Sequence, residues 1–178
     1  MASTAVVKRN VPAVGVRFGD KGSAYAIGVA ALAAVAAATD HLGPKTALDG
    51  ALRDYLISAR RKRSYPGRTV IFPGRIAELS AVVTECAQQK DEVASRIIAE
   101  AAIDLAAAVE VVVRGLDMLN TPTPIVLSGN LQPGLFSSLV SQHINSLIPS
   151  GQLIRPNVNP AVGAATLALR FLEQGQSI

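Results

Sequence analysis

The polar residues of this chain that could do chemistry stand at a few glycine-marked stretches. Gly19-Asp20-Lys21-Gly22-Ser23 puts a carboxylate directly ahead of an Ala-rich run. Asp20 there reads as a helix N-cap that accepts hydrogen bonds from free backbone N–H groups, worth about 1 kcal/mol. Ser128-Gly129-Asn130 follows a short apolar run and leads toward a helical one. A glycine at such a strand end either makes the turn or lets backbone approach a planar or phosphorylated ligand with no Cβ in the way. Ligands of open α/β sheets gather beyond the carboxyl ends of strands, which is where Ser128 and Gly129 would stand. Phe72-Pro73-Gly74-Arg75 is a third such stretch, ahead of a long helical pattern.

Other chemistries lack their residues. Ser23, Ser128 and Ser137 sit in no G-x-S-x-G elbow. His41 and His143 are far apart, with no neighbouring cysteine or paired carboxylate to form a metal site. Asp49, Asp54, Glu78, Glu85, Glu100, Asp104 and Glu110 fall on helix faces and read as solvated positions. Phosphoryl transfer needs a glycine- and threonine-rich phosphate cradle, a metal held through carboxylates or water, and a group that orients the attacking hydroxyl. No stretch of the sequence supplies that set.

The elements that must position the glycine stretches follow from periodicity. Residues 5–8 and 11–18 read as short β-like runs, the second with Val14, Val16 and Phe18 alternating about Gly15 and Arg17. A helix over about residues 21–39, with Asp20 as its N-cap, and another over about 46–60 come next. Residues 68–72 could form a short strand ended by Pro73-Gly74. Val93, Ile97, Ile98, Ala101, Leu105, Val109, Val112 and Leu116 recur at three- and four-residue steps, an amphipathic helix of about seven turns. Residues 75–88 read as its antiparallel partner, joined at Gln89-Lys90-Asp91. A continuous apolar run at 124–127 predicts a buried central strand. A helix over about 133–147, an extended run at Leu153-Ile154 and a last helix over about 160–172 complete an α/β order. We expect one domain over residues 1–178, with a mixed sheet and packed helices.

Composition agrees with one soluble domain. Of 178 residues 49% are apolar, enough for a core, and only 17% are charged. The single Cys86 allows no internal disulfide and no cysteine cluster, pointing to a reducing cytoplasm. No apolar segment follows the charges of the first ten residues, so a secretory signal is not expected. The uncharged run over residues 22–39 is long enough to raise a membrane span, but Ala and Gly partition weakly into lipid and a buried helix explains it as well. Much of the net charge of +4 comes from Arg60-Arg61-Lys62-Arg63, read as a solvated loop that could also help attract a polyphosphate. No aromatic or polar partners accompany that run, so neither nucleic acid nor membrane is an expected partner.

Gly19-Asp20-Lys21-Gly22-Ser23-Ala24-Tyr25-Ala26-Ile27-Gly28 resembles the G-D-E-G-S-x-x-x-I-G signature of N-acetylglucosamine and glucosamine kinases in the BadF/BadG/BcrA/BcrD ATPase family. Phe72-Pro73-Gly74-Arg75-Ile76-Ala77, Ile125-Val126-Leu127-Ser128-Gly129-Asn130 and Pro160-Ala161-Val162-Gly163-Ala164-Ala165 resemble further family segments, in family order. The resemblance implies a ribonuclease H-like, actin-like ATPase lobe, specifically the C-terminal lobe of an ATP-dependent amino-sugar kinase using Mg²⁺. It implies that Asp20 and Gly15 face the sugar and that Gly74, Ser128 and Gly129 face the nucleotide. Lys21 stands where the family has Glu, and Ala13-Val14-Gly15 where it has a G-W-G-like turn. The family's phosphate hairpin, catalytic Asp and second phosphate loop lie N-terminal to the region resembled here, so inactivity alone is expected, with weak or absent nucleotide binding. A first lobe or self-association would then complete the protein. Two alternatives stand: a non-enzymatic oligomerising domain, and an ATPase activator subunit, for which the lone Cys86 is a poor match.

Overall fold

The computed structural model describes residues 20–62, 73–127, 134–155 and 160–173. The strands expected at 5–8, 11–18 and 68–72 lie outside the described residues, as do Gly15, Ser128 and Gly129. In chain order the elements are α1 (Ala24–Thr39), α2 (Leu48–Lys62), α3 (Pro73–Gln88), α4 (Glu92–Gly115), β1 (Thr123–Val126), α5 (Leu135–Leu147), β2 (Gly151–Ile154) and α6 (Pro160–Glu173). The α/β class is therefore as expected, with a small parallel sheet in which Thr123 pairs with Gly151 and Val126 with Ile154.

Helix α1 begins later than expected. Ser23, not Asp20, is its N-cap, accepting from Ala26 N–H at 3.1 Å. Residues 20–23 form a turn instead, closed by Ser23 N–H on the Asp20 carbonyl at 3.1 Å. Gly22 stands third in it with φ +77°, the value a type II turn requires there. A Cβ on Gly22 would lie 2.8 Å from the Ala101 carbonyl oxygen, so only glycine lets the turn rest on α4.

Pro73 and Gly74 are the first two residues of α3, which begins two residues earlier than expected; the strand expected ahead of them lies outside the described residues. Proline is at home there because its missing N–H would have had no partner in the first turn. Arg60, Arg61 and Lys62 extend α2 rather than forming a loop, in keeping with the good helix propensity of Arg and Lys. Asp91 holds two helices. Its Oδ1 accepts from Ala94 N–H at 2.8 Å as the α4 N-cap, while Oδ2 accepts from Ala47 N–H at 2.7 Å just before α2. Thr46 Oγ1 donates to the same carboxylate and accepts from Leu48 N–H. Burial raises the Asp91 pKa, but the N–H groups of Ala94 and Ala47, the Thr46 hydroxyl and Val93 N–H outweigh it and hold the carboxyl below its usual value.

Two apolar clusters share α4. The first joins Ile27, Leu48, Leu52, Leu79, Val83 and the first half of α4. The second joins Ala102, Ala106 and Val113 of α4 to Ile125, Val140, Ile144 and Ile148. The predicted α4 stripe is buried at Val93, Ile97, Ile98 and Ala101, and only half-buried at Leu105, Val109, Val112 and Leu116. Strand β1 also departs from expectation: Thr123 and Ile125 are buried but Val126 is 56% exposed. Helices cover one face of the two-stranded sheet, and the other is bare among the described residues.

Candidate functional site

The first turns of three helices meet along one cleft of about 1200 Å³. Asp20 to Ala24 bring the start of α1, Gly74 the start of α3, and Gly134 to Ser137 the start of α5. Helix α3 forms one wall along its length, through Ala77, Glu78, Ala81, Thr84, Glu85 and Gln88. That geometry depends on how closely α1 crosses α3. A Cβ on Gly28 would lie 2.0 Å from the Ile76 carbonyl oxygen, so the helices touch backbone to backbone at that point.

Of the residues singled out from sequence, Asp20 and Gly74 stand on this cleft together. Gly15, Ser128 and Gly129 lie outside the described residues. The segment holding the last two is bounded by Leu127, at the end of β1, and by Gly134 on the cleft. With its capping role gone, the exposed Asp20 carboxylate has no hydrogen-bond or ion-pair partner among the described residues. Its neighbour Lys21 reaches Asp104 at 3.9 Å, a long and exposed ion pair of little energetic weight. Gly74 is exposed, and a Cβ there would meet nothing within 4 Å. No packing within the described residues requires glycine at that position.

Sequence reasoning missed most of the α3 wall. Glu78 and Glu85 are exposed as expected, yet both border the cleft, and Tyr55 O–H donates to Glu78 Oε2 at 3.0 Å. Burial, then the bond to Glu78, raises the Tyr55 pKa. The available signal was the run Glu78, Ala81, Glu85 and Gln88, spaced at helical steps opposite the buried Leu79, Val83 and Cys86. Phe136 and Ser137 had no such signal. Cys86 is buried, and burial followed by Asp91 and Glu85 raises its pKa, so it stays a core thiol rather than a surface ligand.

The described residues contain no group of three His, Cys, Asp or Glu placed to hold a metal. No helix among them is long and apolar enough to cross a membrane. The cleft has room for a small-molecule ligand, with exposed backbone at Gly74 and, at Asp20, a carboxylate that has no partner among the described residues.

The model of the BadF/BadG/BcrA/BcrD ATPase family matches residues 9–168. An N-acetyl-D-glucosamine kinase of Dictyostelium discoideum is 32% identical over 158 residues, covering 85% of this chain and 49% of that protein. An N-acetylmuramic acid/N-acetylglucosamine kinase of Clostridium acetobutylicum is 30% identical over 154 residues, covering 84% of this chain and 50% of that protein. The chain thus spans about half the length of these relatives. With the family pattern running through nearly all of its sequence, the chain belongs to the BadF/BadG/BcrA/BcrD ATPase family.

Proposed function

We propose that this chain is one domain, the ribonuclease H-like C-terminal lobe of an actin-like-fold amino-sugar kinase, and that its cleft takes an adenine nucleotide and an amino sugar. The observation that carries the reading is the meeting of Asp20 and Gly74 on one cleft, although long stretches of chain separate them. Each comes from a stretch that resembles a family segment. In this reading Asp20, with Gly15, accepts from sugar hydroxyls, and its capping-free carboxylate offers both oxygens to them. Gly74, Ser128 and Gly129 let the adenosine lie against backbone.

When bound, ATP would supply the phosphoryl group and Mg²⁺, taking most of its ligands from phosphates and water, would neutralise its charge. The chain's own residues bind and orient; in this reading the phosphate cradle and the catalytic carboxylate come from the other lobe. On this account the chain does not turn over alone. Saturation-transfer NMR with N-acetylglucosamine at millimolar concentration tests the sugar contact, about 4 kcal/mol of binding free energy being expected. Signal from the parent and none from Asp20→Asn supports the reading; equal signal from both contradicts it.

A second reading is a self-associating domain without catalysis. Helix α6 favours it, since Val162, Leu167, Leu169 and Leu172 are all more than half exposed. Sedimentation velocity separates the two: a concentration-dependent dimer that Leu169→Lys abolishes would favour self-association.

A further inference from the structure

Glu78 is exposed, yet its carboxylate is held in one place. It stands on the α3 wall of the cleft, four residues beyond Gly74, and Tyr55 reaches it from α2, donating its O–H to Oε2 at 3.0 Å. An exposed glutamate ordinarily samples several rotamers, and a ligand that fixes it loses affinity in doing so; here the fold fixes it beforehand. Glu78 has no other hydrogen-bond or ion-pair partner among the described residues, so Oε1 is free to accept. The wall around it is unsuited to phosphate. Of the α3 residues on the cleft, Glu78 and Glu85 are acidic and none is basic. The part of a nucleotide that suits such a wall is uncharged and carries hydroxyl donors, which describes the ribose. Its vicinal 2′- and 3′-hydroxyls can both donate to one carboxylate, the pairing that an acidic residue makes with ribose in dinucleotide-binding folds. Spacing agrees with this. At a rise of 1.5 Å per residue, Gly74 and Glu78 stand about 6 Å apart along α3, roughly the distance from the middle of a purine base to the ribose hydroxyls.

We infer that Glu78, held by Tyr55, accepts from the ribose cis-diol of the bound nucleotide and makes the cleft prefer a ribonucleotide to a deoxyribonucleotide. The inference rests on the reading of the cleft as a nucleotide site with the base against Gly74. Glu78 touches the ligand and sets its specificity. Tyr55 acts through Glu78 and is a positioning residue. A hydroxyl pair suits the free carboxylate oxygen better than the amino group of adenine does, because two donors on neighbouring carbons converge on one acceptor group.

The test titrates the isotope-labelled chain with AMP, 2′-deoxy-AMP and purine riboside 5′-monophosphate, which lacks the adenine amino group, and reads the shifts at Gly74 by NMR. The inference expects AMP and the purine riboside compound to bind alike and 2′-deoxy-AMP to bind about fivefold more weakly or worse, the loss of one hydrogen bond to a charged group. Glu78→Ala should weaken AMP to the level of 2′-deoxy-AMP and leave 2′-deoxy-AMP unchanged. Tyr55→Phe, which keeps the ring and removes the donor, should shrink the preference for ribose while its circular-dichroism melt stays that of the parent. The comparison of ligands on the parent chain needs no variant to fold. AMP and 2′-deoxy-AMP bound equally, with shifts at Gly74, overturn the inference and leave the nucleotide reading standing. So does a ribose preference that survives Glu78→Ala, since the diol is then read elsewhere. Weaker binding of the purine riboside compound alone means that Glu78 reads the base, which also overturns it. No shift at Gly74 with AMP at about 20 mM, well above the millimolar Kd expected, overturns both the inference and the nucleotide reading.

Discussion

Gly28→Ala puts a methyl group where α1 and α3 touch. The added Cβ would lie 2.0 Å from the Ile76 carbonyl oxygen and 2.9 Å from both the Ile76 carbonyl carbon and its Cγ2. The first of these is backbone inside α3 and cannot swing away, so the helices must part by about 1 Å. A gap of that size forfeits about a quarter to a half of each dispersion contact along the crossing. Overpacking typically costs about 1–3 kcal/mol, and a backbone-to-backbone contact belongs at or beyond the upper end. Helix propensity works the other way, favouring alanine by about 1 kcal/mol. The net expectation is a loss of about 2–3 kcal/mol, or a melting temperature lower by about 5–10 °C for a chain of this size. Gly50→Ala in α2 is the control. Its Cβ would meet nothing within 4 Å, so the same substitution there should stabilise by up to about 1 kcal/mol. Urea denaturation followed by circular dichroism reads both. A Gly28→Ala variant as stable as the parent would show that α1 and α3 are not in backbone contact, and the cleft they frame would lose its basis.

Asp91→Ala removes acceptors from the starts of both α2 and α4 and should cost about 2 kcal/mol near neutral pH. Because the folded carboxyl sits below its unfolded value of about 3.9, that stabilisation is present above pH 4 and is lost as pH falls through the folded pKa. The gap between parent and variant in urea melts should therefore narrow as pH falls below 4, and a gap that does not change with pH refutes the double cap. Gly74→Ala should leave stability unchanged or slightly raised, since its Cβ meets open space, while weakening adenosine binding at least threefold by NMR titration. Unchanged binding would take Gly74 out of the site. The isolated chain, given ATP, magnesium and N-acetylglucosamine, should release no ADP above background in a coupled assay, and turnover abolished by Asp20→Asn would contradict the proposal that the catalytic groups lie in another lobe.

Periodicity carried most of the fold. The stripe from Val93 to Leu116 marked α4 to within a residue at either end, because a long helix repeats its signal over many turns. Local chemistry at the helix starts was harder to read. Asp20 and Ser23 are both good caps, and only the positive φ of Gly22, required by its contact with α4, decides for Ser23. Pro73-Gly74 reads as a break ahead of the helix, yet both residues lie in its first turn, where proline's missing N–H costs nothing. The burial of β1 was overread, since four apolar or small residues in a row cannot say whether one face or both are covered. In the cleft, Asp20 and Gly74 were marked by glycine-rich context, whereas Tyr55, Thr84 and Phe136 reach it only through packing between distant segments.

The central claim is that the cleft receives adenosine against backbone and grips phosphates hardly at all. Titrating isotope-labelled chain with adenosine, ADP and ATP tests it most directly. The account predicts millimolar binding of all three, within about threefold of one another, with the largest shifts at Gly74, Ala77 and Gly134. ATP bound far more tightly than adenosine, or shifts confined to Arg60 through Arg63, would contradict it.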